Sequence, residues 1–144
     1  MKSRIEIKAY YTPKSYGFSS KAKTIHMPYL NVIVKNPETG ETDKNTSQFL
    51  VDTGASVSII NSRYESFIQK IKPYDSFKIQ YGNGGLKNCP MYHVAAIIKG
   101  IEFNISVAYD AECPFLLLGH FEFMERNSYT IFDSYSSRLQ IIRL

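Results

Sequence analysis

Phe49-Leu50-Val51-Asp52-Thr53-Gly54-Ala55-Ser56-Val57-Ser58-Ile59-Ile60 sets one carboxylate between two apolar segments. Phe49, Leu50 and Val51 read as a buried strand, and Val57, Ile59 and Ile60 as a second apolar segment. Thr53-Gly54-Ala55-Ser56 supplies a compact turn between them. Burying an ionised Asp is costly unless it is paired or hydrogen-bonded. The small neighbours suit the close approach of another backbone or of a ligand. Taken alone, the Asp-Thr-Gly tripeptide fits a strand-to-turn Asp that makes an Asx-type hydrogen bond.

The rest of the chain gives that Asp its context. A length of 144 residues suits one domain with a real core. Hydrophobic residues make up 44% and charged residues 21%, an ordinary globular balance rather than a disordered one. The chain has 11 Tyr and 9 Phe but no Trp, and this aromatic and β-branched content favours a β-rich fold. The net charge of +4 comes without a dense Lys/Arg run or a basic stripe interleaved with aromatics. Nucleic acid is therefore not expected as a partner. Neither a signal-peptide core nor a bilayer-length apolar run is present, so no membrane association and a cytoplasmic location are expected. Cys89 and Cys113 make neither a disulfide framework nor a zinc set. With His26, His93 and His120 far apart, no metal and no cofactor are expected.

In chain order, Ile5, Ile7 and Ala9 alternate with charged residues, as in an edge strand. Pro13 to Lys23, rich in Ser, Lys and Gly, reads as a loop, and Pro28 to Lys35 as a strand with Leu30, Val32 and Val34 on one face. Beyond Ile60 a short helix follows, with Ser62 and Glu65 spaced as a capping box and Pro73 as its stop. Phe77 to Tyr81 and Met91 to Ile98 read as strands around a Gly82-Asn83-Gly84-Gly85 hairpin tip. Ile101 to Tyr109 alternates cleanly, and Phe115 to Leu118 reads as a fully buried strand ended by Gly119. His120 to Arg126 is short and helix-like, and Thr130 to Phe132 and Leu139 to Ile142 close the chain as strands. Many short strands with one or two short helices describe a mainly β single domain.

Leu50-Val51-Asp52-Thr53-Gly54-Ala55-Ser56, with Leu117-Leu118-Gly119 downstream and glycines at 82, 84 and 85 between them, resembles the retropepsin-like aspartic proteases. The closing segment from Leu118 through Arg138 to Ile141 is also similar to theirs. The resemblance implies a closed, barrel-like acid-protease fold over residues 26–144, with residues 1–25 as an N-terminal extension or an edge strand and loop. Many retroviral members carry Asp at the position of Ser56 and Arg at that of His120, as parts of a local ion-pair network. Both are replaced here, which points to a non-viral, cellular or bacterial member.

The resemblance assigns Asp52 as the catalytic carboxylate. Thr53, Gly54, Ala55 and Ser56 form the supporting loop, in which Thr53 hydrogen-bonds across the dyad and Gly54 brings an N–H to the carboxylates. Gly82, Asn83, Gly84 and Gly85 would tip a flap, a role compatible with an ordinary hairpin turn. Leu117, Leu118 and Gly119 would lie beneath the loop. Hydrolysis without a metal or covalent nucleophile needs a base for water and an acid for the substrate, and two adjacent carboxyls sharing one proton supply both. Only one Asp-Thr-Gly exists in the chain, so a second copy must supply the other Asp52 about a two-fold axis. The expected partners are thus a second copy of the chain and an extended peptide or protein substrate. Ala55 has no hydroxyl to stabilise an ionised carboxylate, which predicts activity reaching weakly acidic to near-neutral pH. A retropepsin-fold module that dimerises or binds peptides, with weak or no catalysis, is the alternative. For Leu139 to Leu144 the choice lies between an edge strand and a sheet shared between copies.

Overall fold

A computed structural model describes residues 4–17, 22–82 and 84–144. Its centre is a closed ring of six strands. In order around the ring these are β4 (Tyr29–Lys35), β5 (Ser47–Val51), β10 (Leu117–Leu118), β6 (Ser58–Ile60), β9 (Ile101–Tyr109) and β8 (Leu86–Ile98). Pairing of Ile33, Val34 and Lys35 with Ile97, Ala96 and Ala95 closes the ring between β4 and β8. Closure removes the free sheet edges that an open sheet of short strands would expose. Strand β7 (Asp75–Gln80) lies outside the ring as the second leg of a hairpin with β8.

A three-stranded sheet carries both ends of the described chain. Strand β1 (Ile5–Tyr10) pairs antiparallel with β12 (Arg138–Arg143), which pairs with β11 (Tyr129–Asp133). The expected terminal strands are present, but β12 is the central strand of this sheet and not an edge. Ile7, Leu139 and Ile141 alternate inward and join Leu30, Val32, Val34, Phe49, Phe103 and Leu118 in one core. A smaller cluster of Val57, Ile59, Ile79, Cys89, Met91, Ala108 and Cys113 lies apart from it, and Tyr81 and Leu117 pack against that cluster.

Several local expectations change. Pro13 to Lys23, expected as a loop, contributes to a hairpin of β2 (Thr12–Gly17) and β3 (Ala22–Met27), with Thr12 opposite Met27 and Lys14 opposite Ile25. Its polar composition hides the strands because the hairpin forms a separate two-stranded sheet, and among the described residues it adds none to either buried cluster. The helix begins one residue earlier than the Ser62–Glu65 spacing suggests. The Asn61 side chain caps a 3-10 turn by accepting from the Arg63 N–H, and α1 (Glu65–Ile68) follows. The apolar run from Phe115 forms strand only at Leu117–Leu118, and Phe115 is 53% exposed. That strand is limited to the two residues that fit between β5 and β6. From His120 to Arg126 there are turns, with a 3-10 segment at Met124–Arg126 in place of an α-helix. Among the described residues, no helix is long and apolar enough to cross a membrane.

Ile7 is 1% exposed although it lies in the first strand. Ile7→Ala should therefore lower the unfolding free energy by about 2–5 kcal/mol, the usual cost of truncating a buried Ile. Urea denaturation measures this, and a loss below about 0.5 kcal/mol, as at surface sites, would place β1 outside the cooperative unit.

Candidate active site

Strand β5 ends at Val51, and Asp52 follows half-buried. The strand cannot wander at this point, because β10 pairs parallel with it through Leu117 opposite Leu50 and Leu118 opposite Val51. The same two-residue strand pairs antiparallel with β6 through Leu117 and Ile59. The Asp52 N–H donates to the Leu118 carbonyl at 3.0 Å, which fixes the backbone of the carboxylate residue itself.

The loop after Asp52 is held from below. The Gly54 N–H donates to Asp52 Oδ1 at 2.8 Å, and the Ala55 N–H to the Asp52 carbonyl at 3.2 Å. The backbone N–H groups of His120 and Phe121 donate to the carbonyls of Ala55 and Ser56 at 3.0 and 2.9 Å. The His120 ring adds a contact from Nε2 to the Thr53 carbonyl at 2.7 Å. The loop is anchored by these carbonyl contacts. Gly119 makes the arrangement possible. A Cβ there would lie 2.5 Å from the Val57 carbonyl oxygen and 2.7 Å from that of Ala55, and both are backbone atoms. Its N–H donates to the Ser58 hydroxyl at 3.0 Å. Thr53, Gly54 and Ser56 remain exposed on the outer side of this pinned loop.

Above Asp52, β7 and β8 form a hairpin whose tip carries Gly82, Gly84 and Gly85; Asn83 lies outside the described residues. The Gly84 N–H donates to the Tyr81 carbonyl at 2.9 Å, and Gly84 takes a φ of +84°, a conformation that favours glycine. A cleft of about 210 Å³ runs between loop and hairpin. Asp52, Gly54, Ala55 and Ser56 line one side, Gln80, Tyr81 and Gly82 the other, and Val57, Ile59, Ile79 and Leu117 form an apolar lining. The structure thus brings together the Asp52 loop, the glycine hairpin and Leu117, which the sequence separates widely. Leu118 is fully buried beneath them.

A second carboxylate was not anticipated from the sequence. Asp110, in the turn after β9, is buried, with its Oδ2 accepting from the Tyr81 hydroxyl. Its Oδ1 accepts from Lys87 Nζ at 2.7 Å and from the Glu112 N–H at 3.1 Å. Lys87 also reaches Glu112 at 3.1 Å. Burial pushes the Asp110 pKa up, but the bonds from Lys87, Tyr81 and Glu112 outweigh it and hold the carboxyl below its ordinary value. Burial and the bond to Asp110 push the Tyr81 phenol up. No local pattern marks this group, since its Lys87 and Tyr81 partners lie 23 and 29 residues away.

Other reactive residue types do not form sites. Cys89 and Cys113 are free and buried, and burial pushes both thiols up. Ser106, His93 and Glu122 stand together, but Ser106 is fully buried, and its hydroxyl donates to Glu122 and accepts from Tyr74. Among the described residues, no group of three or more His, Cys, Asp and Glu could hold a metal ion.

No family model matches the sequence, and no curated protein matches it. Solved structures do match. A retropepsin-like aspartic protease from Rickettsia conorii superposes with a TM-score of 0.57 at 20% identity, covering 98% of this chain and 93% of that one. EIAV protease complexed with the inhibitor HBY-793 gives a TM-score of 0.51 at 20% identity, covering 65% of this chain and 82% of that one. The fold is therefore retropepsin-like, mainly β with a closed barrel and one short α-helix.

Two outcomes test this geometry. Gly119→Ala should destabilise the fold by about 3 kcal/mol or more, at the top of the overpacking range, because the atoms it meets are backbone. Urea unfolding reads this. Asp110 titrates below its unfolded value, so its contribution to stability is present above that value and is lost as pH falls through the folded one. Unfolding free energy should therefore decline below about pH 4, the ordinary Asp range. In Asp110→Asn the decline should be shallower, as measured by denaturation at stepped pH.

Proposed function

We propose that the chain is an aspartic endopeptidase, active as a homodimer in which each copy contributes one Asp52. The observation that carries this reading is the placement of Asp52. It is half-buried on one wall of a cleft that has an aliphatic patch, backbone-pinned, and faced by a glycine-tipped hairpin. A surface Asx turn requires neither the cleft nor the hairpin. The likeness to two proteases supports the fold that such chemistry uses.

In this reading one Asp52 carboxylate takes a proton from water as the oxygen attacks the scissile carbonyl carbon. The partner copy's carboxyl gives its proton to the carbonyl oxygen. Collapse of the resulting gem-diol breaks the C–N bond: the carboxyl that took the water proton gives it to the leaving amine, and one diol hydroxyl returns its proton to the other carboxylate, which leaves the carboxylic acid product and restores the singly protonated dyad. Like charges a few Å apart do not both ionise readily, and the aspartic-protease dyad is itself the standard example of two carboxyls titrating as one unit. The Gly54 N–H, already on Asp52 Oδ1, keeps the carboxylate oriented. Thr53, exposed beside it, is available to the partner copy's loop. The hairpin of β7 and β8 would close over an extended peptide and exclude water, with alternate side chains entering the apolar lining.

The second reading is a peptide-binding or dimerisation module on the same fold, with weak or no catalysis. Cleavage of a peptide library separates the two. Asp52→Asn should lower kcat/KM by about a thousandfold, the scale of a lost general acid–base pair, while sedimentation shows the dimer retained. A statine-type inhibitor should block the wild type. Equal cleavage by wild type and variant would exclude Asp52 as the catalyst, and no cleavage by either would favour the binding module. Ala55→Ser tests the loop: a hydroxyl that stabilises the ionised carboxylate should move the acidic limb of the pH–rate profile down by about one unit.

A further inference from the structure

Among the described residues, Asp110 is the one buried carboxylate. A buried charge is retained only with compensation, and the compensation here comes from the hairpin over the cleft. Tyr81 follows β7, and Lys87 lies at the start of β8, so the two donors stand on either side of the glycine tip. The carboxylate between them, on the turn after β9, ties both legs of the hairpin to the barrel. Tyr81 has two functions in this arrangement. Its hydroxyl is held by Asp110, while its ring packs against the Val57, Ile59 and Ile79 cluster and lines the Asp52 cleft. The cleft, at about 210 Å³, is smaller than the roughly 300–1,000 Å³ of whole-ligand pockets, so it suits one side chain of a longer substrate.

We propose that Asp110 and Lys87 are positioning residues that latch Tyr81, and that the latched ring is the wall of a side-chain subsite beside Asp52, favouring aliphatic over large aromatic residues. The subsite half of this proposal rests on the peptidase reading; the latch half does not. An aliphatic occupant fits the part of the lining away from Asp52, Ser56 and Gln80, where Val57, Ile59, Ile79 and Leu117 offer branched aliphatic surface and the Tyr81 ring limits the space left for a large aromatic side chain. Without the bond to Asp110 the ring is free to leave the cleft, and the hairpin loses its tether at both legs.

Two measurements on the full chain test it. Amide exchange of segment 79–86, followed by mass spectrometry without substrate, reads the latch. Cleavage of synthetic peptides differing only by Leu or Trp before the scissile bond reads the subsite. Tyr81→Phe and Asp110→Asn should each speed exchange of the segment by about tenfold, the scale of a hydrogen bond to a charged group. The double variant should exchange no faster than Asp110→Asn alone, since that substitution already removes the carboxylate to which the Tyr81 hydroxyl donates. For the Leu peptide, both variants should raise KM more than they lower kcat. Tyr81→Ala should shrink the preference for Leu over Trp. Unchanged exchange in both single variants, or additive effects in the double, overturns the latch. Wild-type cleavage with a Leu preference unmoved by Tyr81→Ala overturns the subsite. Faster exchange in the variants with no cleavage by any form upholds the latch and overturns the peptidase reading. Tyr81→Phe removes only a hydroxyl, so the test survives if Asp110→Asn fails to fold.

Discussion

The insertion of β10 between β5 and β6 is the constraint on which the site depends. Only two residues are involved, yet they pair parallel on one side and antiparallel on the other. A strand this short contributes little by itself, so its position must be enforced by contacts on both sides. Leu118, fully buried, supplies one anchor and the backbone contact of Gly119 another. Once β10 is in place, the N–H groups of residues 119–121 meet Ser58, Ala55 and Ser56, and the turn after Asp52 has no freedom to drift. Backbone polar groups that leave water must find partners. Here a segment more than sixty residues downstream provides them, so the geometry of Asp52 is a property of the whole barrel rather than of its own loop.

The second cluster of apolar residues explains why the hairpin lies over that loop. Val57 and Ile59 follow the Asp52 turn, Ile79 belongs to β7, and Cys89 and Met91 to β8. One small core therefore packs beneath both walls of the cleft. Near its free end the hairpin has little apolar surface to bury, as the exposure of Leu86 shows, and there the polar contacts of Asp110 take over. Apolar burial is non-directional, whereas a carboxylate held by three donors specifies one arrangement. The hairpin is thus attached by packing at its base and by directed bonds near its tip.

Much of this was legible in the sequence. The Asp52 turn, the strands of Leu30, Val32 and Val34 and of Phe103 and Ile105, and the glycine tip follow from alternation and turn chemistry, which are local. Gly119 was legible as part of a pattern, though the reason for it, two carbonyl oxygens within 2.7 Å, needed the fold. What was not legible is instructive in physical terms. The β2–β3 hairpin escaped because strand reading relies on a buried face, and among the described residues neither strand supplies one to a buried cluster. Phe115 read as buried because an apolar run carries no record of how much room lies between its neighbours. Asp110 drew no reading from the sequence because a buried ion pair has no sequence period. His120 opened a stretch that read only as short and helix-like, whereas its ring and its N–H both hold the Asp52 loop.

The exposure pattern of that loop bears on the dimeric reading. Residues on either side of it are buried: Val51 before, and Val57 to Ile60 after. Thr53, Gly54 and Ser56 between them are exposed, though their backbones are tethered from beneath. An exposed loop is ordinarily a mobile one, but this loop is held in place by bonds that point inward. Under the proposed peptidase reading a single copy is incomplete, since one carboxyl cannot serve as base and acid in the same step. In the proposed dimer the two loops would meet about a two-fold axis, where Gly54 has no side chain to keep the backbones apart. Pre-organisation of the loop in the single chain would then lower the ordering cost of association, which is the condition under which a small interface can still be a specific one.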